Sequence, residues 1–278
     1  MTRNVKAALL SLSAAAVLAS LPSYAYASPG PVRRSEPSKL WLIKQNDLAV
    51  IGEQYQPLFR WDLCGVATQT GPNGPAPNGQ CQPGQVPTYA SYVALQQAIA
   101  DGQVVKGDVI LFDQEPWKYT PASEQANPAQ YATLVGQLCE ADGIVLVFTA
   151  AEHNMYTALN VDKAAAPYAS AVSVQTQRND GNPARFLSFA RRAATALRAV
   201  NRKVHVVIGL ATDAGGTPVS AADMLRDYRE TYALADGFWL NSNAWPPPTG
   251  KGCAPQGCPN VGDQFLADIA SLAKPDRP

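Results

Sequence analysis

From Tyr89 onward, short uninterrupted apolar runs alternate with helix-like segments, and no other feature constrains the fold as strongly. The runs are Asp108–Phe112, Ile144–Phe148, Ala169–Val174, Val204–Leu210 and Gly237–Leu240. A strand without polar alternation is buried on both faces, and that requires a parallel sheet covered by helices. Helices are predicted over Tyr92–Ile99, from Asn127 to about Ala141, over Ala184–Val200, over Ala221–Ala233 and over Asp263–Leu272. Their ends carry local signals. Asn127 precedes Pro128 and Gln130, Gly143 breaks the helix that follows, and Asn182-Pro183 opens the next. Ser220-x-x-Asp223 reads as a capping box, with Val219 placed to staple to Met224.

Five βα units in a row give an α/β fold, either a barrel or a doubly wound sheet. No Gly-rich phosphate loop follows a strand, against the dinucleotide-binding version. Polar and aromatic residues gather just past the strand ends, where barrels build active sites. They are Asp113 and Glu115, Glu152 and His153, Gln175 and Gln177, Thr212 and Asp213, and Asn241, Asn243 and Trp245. The expected fold is therefore a TIM-type (β/α) barrel. Leu40–Ile43 and Leu58–Trp61 are candidate strands, but Lys39–Thr88 is too short for three full βα units of about 30 residues each. The N-terminal part of the barrel is expected to be shortened or irregular.

Residues 1–27 read as a signal peptide. Arg3 and Lys6 precede the apolar run Ala7–Leu21, and Ala25-Tyr26-Ala27 supplies a small-x-small cleavage site. Residues 28–38 are expected to be a flexible mature N-terminus, and 39–278 a single barrel domain. The product is expected to be secreted, periplasmic or extracellular, with no membrane span after cleavage. Export permits disulfides. Cys64 and Cys81 flank a Gly/Pro/Asn-rich loop and Cys253 and Cys258 flank Ala-Pro-Gln-Gly, so these two pairings are expected. Cys139 lies on a helix face with Tyr131, Leu134, Val135 and Leu138, which suits a buried inert thiol. Lys plus Arg and Asp plus Glu are 22 each, so charge balance offers nothing to attract nucleic acid. With two histidines, His153 and His205, a metal site built on several histidines is excluded; no metal and no cofactor is expected. A monomer is expected.

The chemistry concentrates at Asp113 and Glu115. Two residues apart on a strand share a face, so both carboxylates are expected at one end of the sheet. Close carboxylates repel, which raises one pKa and keeps a proton available for acid catalysis. Trp117 beside them suits a sugar platform. The spacing alone also fits a solvated strand end.

From Gly107 to about Ala270 the chain resembles glycoside hydrolase family 18, in particular its single-domain plant-type chitinases and endoglycosidases. The family's D-x-x-D-x-D-x-E motif is matched in its last two acids by Asp113 and Glu115. Ile144–Phe148 with Thr149-Ala150-Ala151, Val172–Gln177, Val207–Ala211 with Val219–Leu225, and Gly237–Leu240 are similar to its fifth to eighth strands. The resemblance implies a secreted glycosidase acting on a polysaccharide or glycoconjugate, with Glu115 as general acid. Asp113 would orient a 2-acetamido group whose oxygen attacks the anomeric carbon. Trp239 would stack on a sugar, and Gln175 and Gln177 would hydrogen-bond it. Trp117, Asp213 and Asn241 complete the expected substrate-binding set. Leu111 stands where the family has an Asp, and Gln177 where it has a Tyr. The alternative function is a non-catalytic barrel that binds carbohydrate or protein. A two-carboxylate mechanism pairing Glu115 with Asp213 is the second mechanistic choice. His153 reads as a loop residue and His205 as structural.

Overall fold

The computed structural model describes residues 39–44, 61–63, 86–151, 155–214, 217–241 and 259–273. Among the described residues eight parallel strands form one sheet: β1 (Leu40–Lys44), β2 (Trp61–Leu63), β3 (Thr88–Tyr89), β4 (Val109–Gln114), β5 (Val145–Ala150), β6 (Ala171–Val174), β7 (His205–Ala211) and β8 (Gly237–Asn241). Their order is β2-β1-β8-β7-β6-β5-β4-β3. Every neighbouring pair is parallel. This is the strand order of a (β/α) barrel cut open between β2 and β3. The expected closed barrel is corrected to this extent: among the described residues no ladder joins those two edges. β2 and β3 are short, three and two residues, and each spends its described residues on the neighbour at its other side, β1 and β4.

Among the described residues there are seven α-helices: α1 (Tyr92–Ala100), α2 (Ala122–Ala126), α3 (Pro128–Asp142), α4 (Met155–Ala165), α5 (Pro183–Val200), α6 (Ala221–Thr231) and α7 (Pro259–Ala273). The expected caps of α5 and α6 form. Asn182 accepts from the Arg185 N–H at 3.2 Å, and Ser220 Oγ accepts from the Asp223 N–H at 3.1 Å. Asn127 does not cap α3 with its side chain; its Nδ2 donates back to the Ser123 carbonyl. Gly143 ends α3 with φ +68°, a conformation that costs glycine little.

Two apolar layers result from alternation along the strands. Ile110, Phe112, Leu146, Phe148, Val206 and Ile208 face outward into the helices, and the rings of Phe112 and Phe148 stack at 6.0 Å. The opposite face carries Leu42, Leu111, Val147, Ala171, Val207 and Trp239, buried together with Val86. No helix residue joins that second layer among the described residues. Its side chains cover one another, which requires the sheet to curl around them. Cys139 sits in the outer core, where burial pushes its thiol up to about 12, as expected for an inert cysteine. No described helix is long and apolar enough to cross a membrane. Cys64, Cys81, Cys253 and Cys258 lie outside the described residues, as do His153, Asn243 and Trp245.

Candidate functional site

The curled face ends in polar groups at the C-terminal edge of the sheet. On β4, alternation turns Leu111 and Asp113 to the inner face, and Asp113 is only 3% exposed. It sits directly above the apolar layer and pairs in register with Thr149 on β5. Thr149 is fully buried and donates to the Ser173 carbonyl at 2.9 Å. Ser173 is in register with Val207 and is also fully buried; its Oγ has no hydrogen-bond partner. A hydroxyl row thus continues from Asp113 across β5 and β6. Neither Thr149 nor Ser173 stood among the sequence-level candidates. The signal available for them was phase, because both occupy the inner-face positions of otherwise apolar strands.

Glu115 lies just past the end of β4, half-buried, with Trp117 two residues on. The segment that carries them is fastened at several points. The Trp117 N–H donates to the Glu115 carbonyl at 2.9 Å, and the Thr120 N–H to the Trp117 carbonyl at 3.2 Å. Gln125 Nε2 donates to the carbonyls of Trp117 at 2.8 Å and Thr120 at 2.7 Å. Thr120 Oγ1 donates to the Ala90 carbonyl at 2.9 Å. The buried Glu124 accepts from Ser91 Oγ and from the Tyr92 N–H at the start of α1. Its burial raises its pKa, against the lowering effect of those donors. Trp117 packs edge-on against Tyr119, with ring centroids 5.2 Å apart. A loop held this way presents Glu115 in one place.

Gln175 and Gln177 follow β6. Gln177 Nε2 donates to Gln175 Oε1 at 2.6 Å, while Gln177 Oε1 is buried without a partner. Gln177 lies over Gly209 of β7. A Cβ there would collide with Gln177 Oε1 and come within 3.0 Å of the Val174 carbonyl, so glycine at 209 makes room for the amide. Thr212, just past β7, is buried, and its N–H donates to the Asn241 carbonyl at 3.1 Å. Asn241 ends β8 with a buried, unpartnered Oδ1. Trp239 is in register with Gly209 and Leu42 and is 3% exposed, so most of its indole belongs to the inner apolar layer. Asp213 is half-buried and bridges antiparallel to Pro218 in the turn after β7.

Asp113, Glu115, Trp117, Gln175, Gln177, Thr212, Asp213, Trp239 and Asn241 therefore all lie at or just beyond one edge of one sheet. His205 begins β7 at the opposite edge and is exposed. Several acids further out serve the backbone. Asp180 Oδ2 accepts from the Ala211 N–H at 2.7 Å, and Asp162 Oδ1 from the Ala150 N–H at 3.1 Å. Each replaces a strand partner where the ladder runs out. Burial raises both pKa values well above the usual carboxylate range.

The mouth holds unpartnered buried polar atoms on Ser173, Gln177 and Asn241, the three carboxylates of Asp113, Glu115 and Asp213, and a tryptophan on a pinned loop. Such a set suits a hydroxyl-rich ligand that both donates and accepts hydrogen bonds. No group of three or more His, Cys, Asp or Glu arranged for a metal occurs among the described residues.

No protein-family model and no curated protein matches the chain. Among solved structures, one described as "Crystal structure of the N-terminal domain of a putative aldolase from Bacteroides vulgatus" is similar at 10% identity and a TM-score of 0.43. The match covers 84% of this chain and 80% of that one. A likeness so distant carries no functional weight.

Proposed function

We propose that this protein is a glycoside hydrolase of family 18 type, exported from the cell, with its active site at the C-terminal mouth of the curled parallel sheet. The observation that carries this reading is the placement of Asp113 and Glu115. They follow one another on the inner face and rim of β4, beside amides and aromatics and above a dry apolar floor. Glu115 protonates the glycosidic oxygen as the bond breaks. Asp113 holds the 2-acetamido group so that its carbonyl oxygen attacks the anomeric carbon, and water later opens the resulting ring. This substrate-assisted route needs no second carboxylate nucleophile. Gln177 stands where the family has a tyrosine, and its unpartnered Oε1 accepts a hydrogen bond from the sugar.

Leu111 favours one competing reading. It fills an interior position where the family carries an acid, and it packs with Val147 and Leu42. A barrel that binds glycan without cleaving it is consistent with that loss. Calorimetric titration with chitin oligomers, peptidoglycan fragments and N-glycans separates the two readings. For an enzyme, Glu115→Gln holds the oligosaccharide that wild type consumes, and Gln177→Ala or Trp117→Ala weakens it about tenfold, the loss of one or two good contacts. Wild type that binds an oligosaccharide and leaves it intact identifies the non-catalytic barrel.

A further inference from the structure

We infer that the outer face of α5 is a docking surface for an acidic, carboxylate-bearing polysaccharide. The chain is neutral overall, but its charge is unevenly placed. Between residues 155 and 203 it carries eight Lys and Arg and two acids, Asp162 and Asp180. Both acids are buried. The face formed by α4 and α5 therefore shows only positive charge.

The arrangement on α5 is specific. Arg185, Ser188, Arg192 and Thr195 recur at spacings of three and four residues, so they share one stripe, and all four are exposed. Arg191 stands beside them, also exposed. Other arginines nearby are neutralised. Arg198 on the same helix meets Asp236 at 2.8 Å, and Arg226 on α6 meets Asp223 at 2.7 Å. No carboxylate among the described residues pairs with Arg185, Arg191 or Arg192. A shallow groove along the helix is lined by Ala184, Leu187, Ser188, Arg191, Arg192 and Thr195.

Arg192 is also preorganised. Its guanidinium stacks over the Tyr156 ring at 5.0 Å, and that ring packs edge-on against Phe189 at 5.6 Å. Tyr156 is 50% exposed. Stacking fixes the plane of the guanidinium and leaves its donor edge free for a carboxylate, which it can bind with two hydrogen bonds. An exposed tyrosine beside a cationic fork and two hydroxyls suits a uronate-type sugar. Arg185 and Arg192, seven residues apart, are separated by about 10 Å along the axis, close to the length of a disaccharide. The stripe starts at the first turn of α5, next to the turn that carries Gln177, so a polymer leaving the mouth can run down it. The choice of a sugar over other polyanions rests on the glycan reading of the mouth; the charge and geometry of the stripe do not.

The test is calorimetry with three polymers: alginate as the polyuronate, dextran as the neutral glycan and polyphosphate as the sugar-free polyanion. Alginate should bind the wild-type chain at about 20 mM salt and weaken steeply by about 200 mM, where charges are screened within a nanometre. Dextran should not bind. The triple variant R185Q/R191Q/R192Q should lose alginate affinity at least tenfold with unchanged thermal stability, and Tyr156→Ala should lose part of it. The triple Arg→Lys variant keeps the charge and should retain the salt dependence with weaker binding. Glu115→Gln should bind alginate as wild type does. Unaltered binding by R185Q/R191Q/R192Q, or no alginate binding by wild type, overturns the inference. Polyphosphate binding as tight as alginate binding overturns the choice of sugar. Absence of glycan cleavage with alginate binding intact would instead count against the mouth and leave the stripe standing.

Discussion

Buried acids set the energetics at the level of single residues. Asp227 on α6 is fully buried, and burial raises its pKa to about 6, against the lowering effect of Arg226 at 3.5 Å. An aspartate in an unfolded chain titrates near 4. The folded state thus binds the proton more tightly, and stability falls as pH rises from about 4 through 6. Asp227→Asn should leave stability at pH 4 nearly unchanged and raise it by about 1–3 kcal/mol at pH 8, read by urea unfolding at both values. Gly209 gives a second prediction at this scale. Gly209→Ala drives a methyl into Gln177 and should cost about 1–3 kcal/mol while weakening any ligand at the mouth. The acids at 113 and 115 were legible from their spacing at a strand end. Thr149, Ser173 and Asp180 were not. A lone hydroxyl in an apolar strand, or an aspartate in a loop, shows its partner only once the strands are in register.

Among the elements, the loop from Glu115 to Thr120 and the short helix α2 after it act as one device. Gln125 holds two of the loop's carbonyls, and Glu124 ties α2 to α1. Gln125→Ala should lower kcat about tenfold or more with little change in KM, because a displaced general acid loses transition-state stabilisation more than binding. Thermal stability should fall by about 1 kcal/mol, the worth of an ordinary hydrogen bond. A KM effect without a kcat effect would mean that the loop serves binding alone. Long, regular elements were readable: α5 runs Pro183–Val200 against an expected Ala184–Val200, and β8 gains one residue over Gly237–Leu240. α4 was not anticipated. Its inner face includes the buried Asp162, which interrupts the apolar period that would have revealed it. β3 has two residues and offers no period at all. Of the expected strand Leu58–Trp61, Trp61 begins β2 and the other three residues lie outside the described ones.

Across the whole molecule, the order of strands follows from continuous apolar runs joined by helices, and that much was visible in the sequence. The break between β2 and β3 was not, because Lys39–Thr88 carries few periodic signals. One property emerges only from the assembled fold. Asp162, Asp180, Asp227 and Glu124 all have raised pKa values by burial, whereas Asp223 is held down, first by the Ser220 hydroxyl. Upward shifts contribute stability that is full below about pH 4 and is lost as pH climbs through the folded values. The thermal midpoint should accordingly be higher at pH 5 than at pH 8; a midpoint that rises steadily over that range would show that these acids do not govern stability. The central claim concerns the mouth, and reducing-end release from a panel of chitin oligomers, peptidoglycan, N-glycans and α- and β-glucans tests it most directly. Wild type should cleave at least one N-acetylated member, and Glu115→Gln should lose about 100-fold or more of that rate, the usual contribution of a positioned general acid. Equal rates for the two proteins, or no cleavage by wild type of any member, would contradict the account.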